Sequence, residues 1–373
     1  MHKNNYIGYR PTWAEISLTN LAYNFRQIKK AVAPHIKVMA CVKADAYGHG
    51  LIAVSQKLVD CGVDYLSVAS IDEAITLRKA KIKLPILVLG IVLKKDIEPL
   101  FKFNIMPTVC TKEMALGLNK MAALKSRPIK IQVKVDTGMG RIGILHKEAL
   151  AFIKYLKGLR HLEIEGIFTH LSCADIDEDF TAHQIGLFNR LTAEVKDLGL
   201  HIPLIHAANS LGVVNYPTGH FNMVRPGLVI YGLYPQEGLG IKLKPVLSLK
   251  TRVVYFKRLP KGYGISYGHT YITKKATTVI NLPIGYGDGY PRNLSNKAAV
   301  LIGAKRFKIS GRVCMDQIMV DVGDFPVRVG ELVVLIGAQG KYKITAEELA
   351  LLSGTIPYEI VCGLGSRIPR IYT

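Results

Sequence analysis

The stretch IKVMACVKADAYGHG, residues 36–50, decides how the rest of the chain is read. Its first seven residues are rich in Val and Ile with no polar alternation, which predicts a buried β-strand over residues 36–42. Lys43 follows at once, then Asp45, Tyr47, Gly48, His49 and Gly50. Taken alone, Lys43 is a lysine whose stem snorkels out of a strand end. Its surroundings give it another meaning.

Upstream, Leu21, Phe25, Ile28 and Val32 form the stripe of an amphipathic helix. Downstream, strand and helix patterns alternate to about Gly232. Strands are predicted at residues 65–68, 85–90, 105–109, 129–135, 164–170, 204–208 and 221–224, the third weakened by Pro107. Helices are predicted at 51–61, 96–102, 112–124, 147–157 and 179–198, with another opened by a Ser70–Glu73 capping box. Strands joined by helices imply a parallel sheet. Eight such units fit a closed (β/α)8, TIM-like barrel, which typically needs ~250 residues. An open doubly wound sheet is the alternative, but no GxGxxG follows the first strand. After Lys244, segments such as ATTVINLPIGY and ELVVLIG are β-rich with Gly-marked breaks, interrupted by one helix with Thr345 and Glu348 as its capping box. The expected chain is α/β, with a barrel over residues 11–240 and a mostly antiparallel β domain over 241–373.

Composition narrows the class. A chain of 373 residues with 49% hydrophobic residues and a mean hydropathy of +0.21 can bury a large core. Six scattered cysteines without a CxxC pair argue against a disulfide framework and a metal site, and fit a reducing compartment. No secretory h-region is visible, and the apolar run at residues 84–93 is too short to span a bilayer. A soluble, cytoplasmic protein without metal or membrane partner is expected. The net charge of +21 raises the question of nucleic acid. Its lysines, such as Lys29, Lys30, Lys79, Lys81, Lys83, Lys94 and Lys95, are spread along helical segments without interleaved aromatics, so solvated faces are expected and no nucleic-acid partner.

Barrel enzymes place their chemistry at the carboxyl ends of the strands. Lys43 follows the first strand, Arg141 the fifth, and His170 closes the sixth. Asn209 and Ser210 follow the seventh, Arg225 and Gly227 the eighth. A lysine at such a mouth suits imine chemistry. Ser210 and Gly227 stand where barrels bind phosphate, one with a hydroxyl and one with room for close backbone approach. Together they point to pyridoxal phosphate, or to an aldolase acting on a sugar phosphate.

Nine segments carry a resemblance: VKADAYGHG, KVDTGMGRIG, THLSCAD, HAANS, RPGLVIYG, ISYGHTY, IGYGDGY, GRVCMDQ and SRIPRIY. In this order they resemble the alanine racemase family of fold-type III pyridoxal-phosphate enzymes. The resemblance implies a barrel plus β domain, with residues 1–10 packing on the latter. It implies interconversion of L- and D-alanine, the D-isomer serving as a peptidoglycan precursor. Lys43 would carry the cofactor's aldehyde, and Tyr47, Ser210, Gly227, Leu228 and Tyr358 would hold its phosphate. Arg225 would face the pyridine nitrogen, and His170 would link Arg225 to Tyr267 by hydrogen bonds. Tyr267 would be the second base, opposite Lys43. Arg141 and the Met315 backbone would meet the substrate, and Asn209 would stand beside the cofactor. Lys134 would be carbamylated, against the plainer alternative of a lysine paired with a carboxylate. Tyr267 and Met315 would come from the partner in a homodimer. Tyr286 would restrict substrate access. Fold-type III decarboxylases and broader racemases are the rival readings; the former generally pair the ring nitrogen with a carboxylate. Cys314 and Cys362 read as packed thiols, Asp288 as a turn residue, and Trp13 as core or interface. Ser366 stands where a bulkier residue is expected beside Arg367, which leaves the role of the last strand open.

Overall fold

Helix Leu18–Ala31 buries Leu21, Phe25 and Ile28, and Ser17 caps it by accepting the Asn20 N–H. It delivers the chain to the first barrel strand, Lys37–Cys41. The computed structural model describes residues 9–235 and 238–373. Seven further barrel strands follow: Tyr65–Val68, Ile86–Ile91, Met106–Val109, Ile129–Asp136, Leu162–Phe168, Leu204–His206 and Met223–Val224. Each pairs in parallel with the next, and the eighth returns to the first, so the sheet closes. A two-residue strand, Ile144–Leu145, lies parallel to the end of the fifth. Met39, Tyr65, Leu87, Met106, Phe168, Leu204 and Met223, from seven of the eight strands, form a buried cluster of their own. They fill the barrel as a packed core rather than a pore.

The β domain is mostly antiparallel. Its larger sheet runs Lys305–Lys308, Ala299–Ile302, Leu332–Gln339, Leu247–Arg252, Thr12–Ile16, Arg370–Tyr372. A three-stranded sheet joins Tyr255–Leu259, Thr277–Leu282 and Ile318–Gly323, and a short hairpin pairs Gly264–Ile265 with Tyr271–Ile272. Strand Thr12–Ile16 falls within residues 11–240, the span expected for the barrel. It instead pairs antiparallel with Leu247–Arg252 and parallel with Arg370–Tyr372. Its short TWAEI run hydrogen-bonds on both edges there, with Trp13 buried beneath the Arg252 guanidinium at 5.6 Å. Residues 1–8, expected to pack on the β domain, lie outside the described residues; Arg10 reaches that domain through a 2.5 Å bidentate pair with Asp288.

The Ser70–Glu73 capping box forms as predicted. At Thr345 only half of one does. Thr345 Oγ1 accepts the Glu348 N–H, but the Glu348 carboxylate turns to the Arg306 guanidinium, a charged donor that outcompetes a neutral backbone N–H.

The segment after Lys43 is unusual. Ala44, Asp45, Ala46 and Tyr47 all have φ between +53° and +55°, a left-handed helical turn. Left-handed geometry costs roughly 1–2 kcal/mol for each non-glycine residue. The surroundings hold the turn in place. Arg370 Nε donates to the Gly48 carbonyl at 3.0 Å, while its other nitrogens donate to the carbonyls of Leu364, Gly365 and Ile368. This gives the last strand its role: it clamps the lysine turn to the β domain. Gly48, at φ +77°, lies so close to helix Pro357–Cys362 that a Cβ would stand 2.1 Å from the Val361 carbonyl oxygen. Gly48→Ala should therefore cost more than ~2 kcal/mol in equilibrium denaturation, strain and clash together. Gly62→Ala, at φ +79° with nothing within 4 Å, should cost only the strain, about 1 kcal/mol.

Candidate active site

Ten residues singled out from the sequence line one cavity at the carboxyl end of the barrel: Lys43, Tyr47, Lys134, Arg141, His170, Asn209, Ser210, Arg225, Gly227 and Tyr358. One wall is an anion cradle. The Gly227 N–H donates to Ser210 Oγ at 3.0 Å, and a Cβ on Gly227 would stand 2.5 Å from Tyr47 Oη. Only glycine leaves that space open. Asn209 caps the short helix Ser210–Asn215 by accepting the Gly212 N–H, which fixes Ser210. Leu228, fully buried, begins the turn Leu228–Tyr231 directly after the cradle. Tyr358 comes from the β domain, its ring 5.9 Å from that of Tyr47, so both parts of the chain build the wall. Burial pushes the Tyr47 phenol well above its ordinary value and Tyr358 up to about 12. Both therefore stay protonated at neutral pH and can donate to an anion.

The opposite wall is cationic. Arg225 is buried, with one terminal nitrogen 2.6 Å from His206 Nδ1 and the other donating to the Thr169 and Ala207 carbonyls. Burial lowers it to about 10, so it stays charged at neutral pH. Its Nε–H makes no hydrogen bond among the described residues. An arginine only donates, so His206 Nδ1 accepts, and Nε2 must carry the ring proton. That proton goes to Gln132 Oε1 at 2.7 Å. Burial and then the Arg225 charge hold His206 well below its ordinary value, which keeps the ring neutral. Sequence reasoning passed over both His206 and Gln132. Gln132 shares a strand face with Lys134, in a strand whose polar residues Lys130, Gln132, Lys134 and Asp136 recur at period two, and that alternation was the available signal.

The expected bond from His170 to Arg225 is not made among the described residues: the arginine's two terminal nitrogens reach His206 and the Thr169 and Ala207 carbonyls instead. His170 is instead placed through its backbone, whose carbonyl accepts from Gln184 Nε2 at 3.2 Å. Burial, then the charges of Lys134, Arg225, Arg141 and Lys43, press its ring toward the neutral form.

Lys134 is buried, with its Nζ 4.7 Å above the Phe168 ring, and pairs with no carboxylate among the described residues. The paired-lysine alternative is thus not realised. Burial, then Arg225 and Arg141, push its amine well below the ordinary lysine value. The loop that presents Arg141 wraps the carboxylate of Asp136, which accepts the N–H groups of Gly138, Met139 and Gly140. Burial raises this carboxyl, but the three donors and Lys134 outweigh it and leave it below its ordinary value.

Tyr267 and Met315 lie apart from this cavity, 71% and 53% exposed on the β domain. Tyr267 stands at the tip of the hairpin, which is pinned by Ser266 Oγ donating to the Arg312 carbonyl and by Tyr271 Oη donating to Asp321. The Met315 carbonyl accepts the Gly287 N–H at 2.9 Å, while its own N–H is unbonded among the described residues. Asp288 forms its turn and also anchors Arg10 and Arg367.

Fold and site together define a class: a two-part barrel protein whose mouth carries lysine amines, a neutral-donor anion cradle and a buried arginine. The first part matches the family model "Alanine racemase, N-terminal domain" over residues 16–235, and the second "Alanine racemase, C-terminal domain" over residues 246–372. A curated alanine racemase of Halothermothrix orenii is 48% identical over 367 residues, 97% of this chain and 97% of that one. The solved alanine racemase of Clostridium difficile 630 superposes with a TM-score of 0.93 at 38% identity, covering 98% and 96% of the two chains. That of Bacillus anthracis with bound L-Ala-P has a TM-score of 0.91 at 38% identity, again over 98% and 96%. The chain belongs to the alanine racemase family.

Proposed function

We propose that the chain interconverts L- and D-alanine at this mouth, with pyridoxal 5'-phosphate as cofactor. The observation that carries this is the meeting of Lys43 with the Ser210, Gly227, Tyr47 and Tyr358 cradle and the unengaged Arg225 Nε–H in one cavity. The residues fit the group. The cradle offers hydroxyl donors at a spot kept open by a glycine, and Arg225 offers one N–H to a ring acceptor. When bound, pyridoxal phosphate supplies an aldehyde that joins to an amine and a ring that stabilises charge at Cα.

The chain's own residues supply the proton traffic. Inversion requires a proton to leave one face of Cα and return on the other. A single base cannot serve both faces, because transfer works at ~2.6–3.2 Å. Lys43 Nζ is proposed to move the proton on one face and Tyr267 Oη on the other. Because Tyr267 and Met315 stand exposed and away from the cavity of their own chain, a second copy must bring them. A C2 homodimer makes two equal sites in this way. Tyr286, partly exposed and two residues before Asp288, would narrow access to them. Arg225 cannot readily give up a proton, so it leaves the ring acceptor unprotonated and favours return of the proton to Cα over transamination. Lys134 is read as a carbamate: its amine, which burial biases toward the neutral form, attacks carbon dioxide, loses one proton and gains a negative charge beside Arg141. The six free cysteines and the lack, among the described residues, of any helix able to cross a membrane support a cytoplasmic setting. We place the division between barrel and β domain near residue 240.

Purified protein should show a cofactor absorption band that Lys43→Ala lacks, and should exchange deuterium into Cα of both alanine isomers. Lys43→Ala and Tyr267→Phe should each be inactive alone. Mixed under subunit exchange, they should recover roughly a quarter of wild-type activity, since half the dimers then hold one intact site. No recovery would remove the shared site. Arg225→Glu should raise side transamination at least about tenfold relative to racemisation; an unchanged ratio refutes the role given to Arg225. Carbon-13 dioxide should give a carbamate NMR signal absent from Lys134→Arg.

A further inference from the structure

Glu73 stands outside the cavity, on helix Ile71–Lys79 after the second barrel strand, yet its carboxylate reaches the backbone beside Lys43. Oε1 accepts the Ala44 N–H at 2.6 Å. Oε2 accepts the Ala69 N–H at 2.7 Å and the Ser70 N–H at 3.3 Å. Ser70 Oγ accepts the Glu73 N–H in return. A capping box needs only the exchange with Ser70. The bond to Ala44 exceeds that need and ties together loops that follow two different strands.

Ala44 opens the left-handed turn, and its N–H belongs to the peptide that leaves Lys43. Within the turn, Ala46 N–H finds the Val42 carbonyl at 2.9 Å, but Ala44 comes too early for such a bond. The first N–H groups of any helical turn lack internal acceptors. Glu73 fills the gap with a charged acceptor, stronger and shorter than a neutral one. The far end of the turn is held differently, by Asp45 Oδ1 accepting the Leu51 N–H at 2.7 Å and by Arg370 on Gly48. On the peptide that joins Lys43 to Ala44, the acceptor for the N–H among the described residues is Glu73.

We propose that Glu73 is a positioning residue for Lys43: by holding the Lys43–Ala44 peptide against the loop after the second strand, it sets where the amine stands in the mouth. This rests on the cofactor-bearing role given to Lys43.

Three variants separate this role from helix capping. Glu73→Gln keeps the size but has one acceptor oxygen, so it cannot serve both loops. Glu73→Ala serves neither. Ser70→Ala weakens the cap without touching Ala44. In cofactor-free protein, both Glu73 variants should speed deuterium exchange at the Ala44 amide at least about tenfold, with Ser70→Ala unchanged. Loaded with pyridoxal phosphate, they should move the pH midpoint of the lysine-bound absorption band. They should also lower kcat by about tenfold or more with little change in KM, as misplacement of a reacting group does. Ser70→Ala should lower only Tm. Should Glu73→Ala not fold, Glu73→Gln carries the test. Wild-type exchange at Ala44 with an unmoved band overturns the proposal, as does a loss confined to Tm in all three. A band that survives in Lys43→Ala removes the role of Lys43 and, with it, the catalytic part of the proposal. If the Lys43→Ala band is lost while the Glu73 variants behave as wild type, only the proposal falls.

Discussion

Four consecutive residues in left-handed backbone, directly after Lys43, are the constraint around which this molecule is arranged. No local preference favours that conformation in Ala, Asp or Tyr. It persists because the β domain closes over it, through Gly48 against Val361 and Arg370 across four carbonyls. The same turn carries Tyr47 against Gly227, and so completes the anion cradle. Lysine, cradle and domain contact are thus one mechanical unit.

The cationic wall obeys a different rule. Arg225, Arg141 and Lys134 gather with no carboxylate paired to Lys134, and burial makes the charges of Arg225 and Lys134 expensive. The chain disperses that cost through hydrogen bonds to both terminal nitrogens of Arg225, and through a lysine driven toward neutrality. Such a wall suits a negatively charged occupant. The proposed substrate carboxylate and carbamate would each answer that need.

Much of this was legible in the sequence. Eight strand patterns gave the barrel, and the residues after five of them converge on one cavity. Period two and period 3.6 are local signals, and a parallel barrel turns them into one mouth without further information. The misses are non-local. TWAEI belongs to a sheet whose other strands lie more than two hundred residues away, so nothing nearby announces its partners. Glu348 was drawn from its cap by Arg306, a choice settled by tertiary approach. His206 and Gln132 matter only through Arg225, and the left-handed turn exists only because a distant helix and strand enforce it.

Strand Thr12–Ile16 enters the barrel, and strand Leu247–Arg252 leaves it; the two are zipped side by side, with Ser17 N–H bonded to the Val246 carbonyl at 2.8 Å. Topologically the barrel is a loop inserted into the β sheet, gripped at both ends. A clamshell swing of one part on a single connecting segment is therefore ruled out unless that zipper tears. Molecules passing in and out of the mouth must rely on side chains turning aside rather than on a swing of one part against the other.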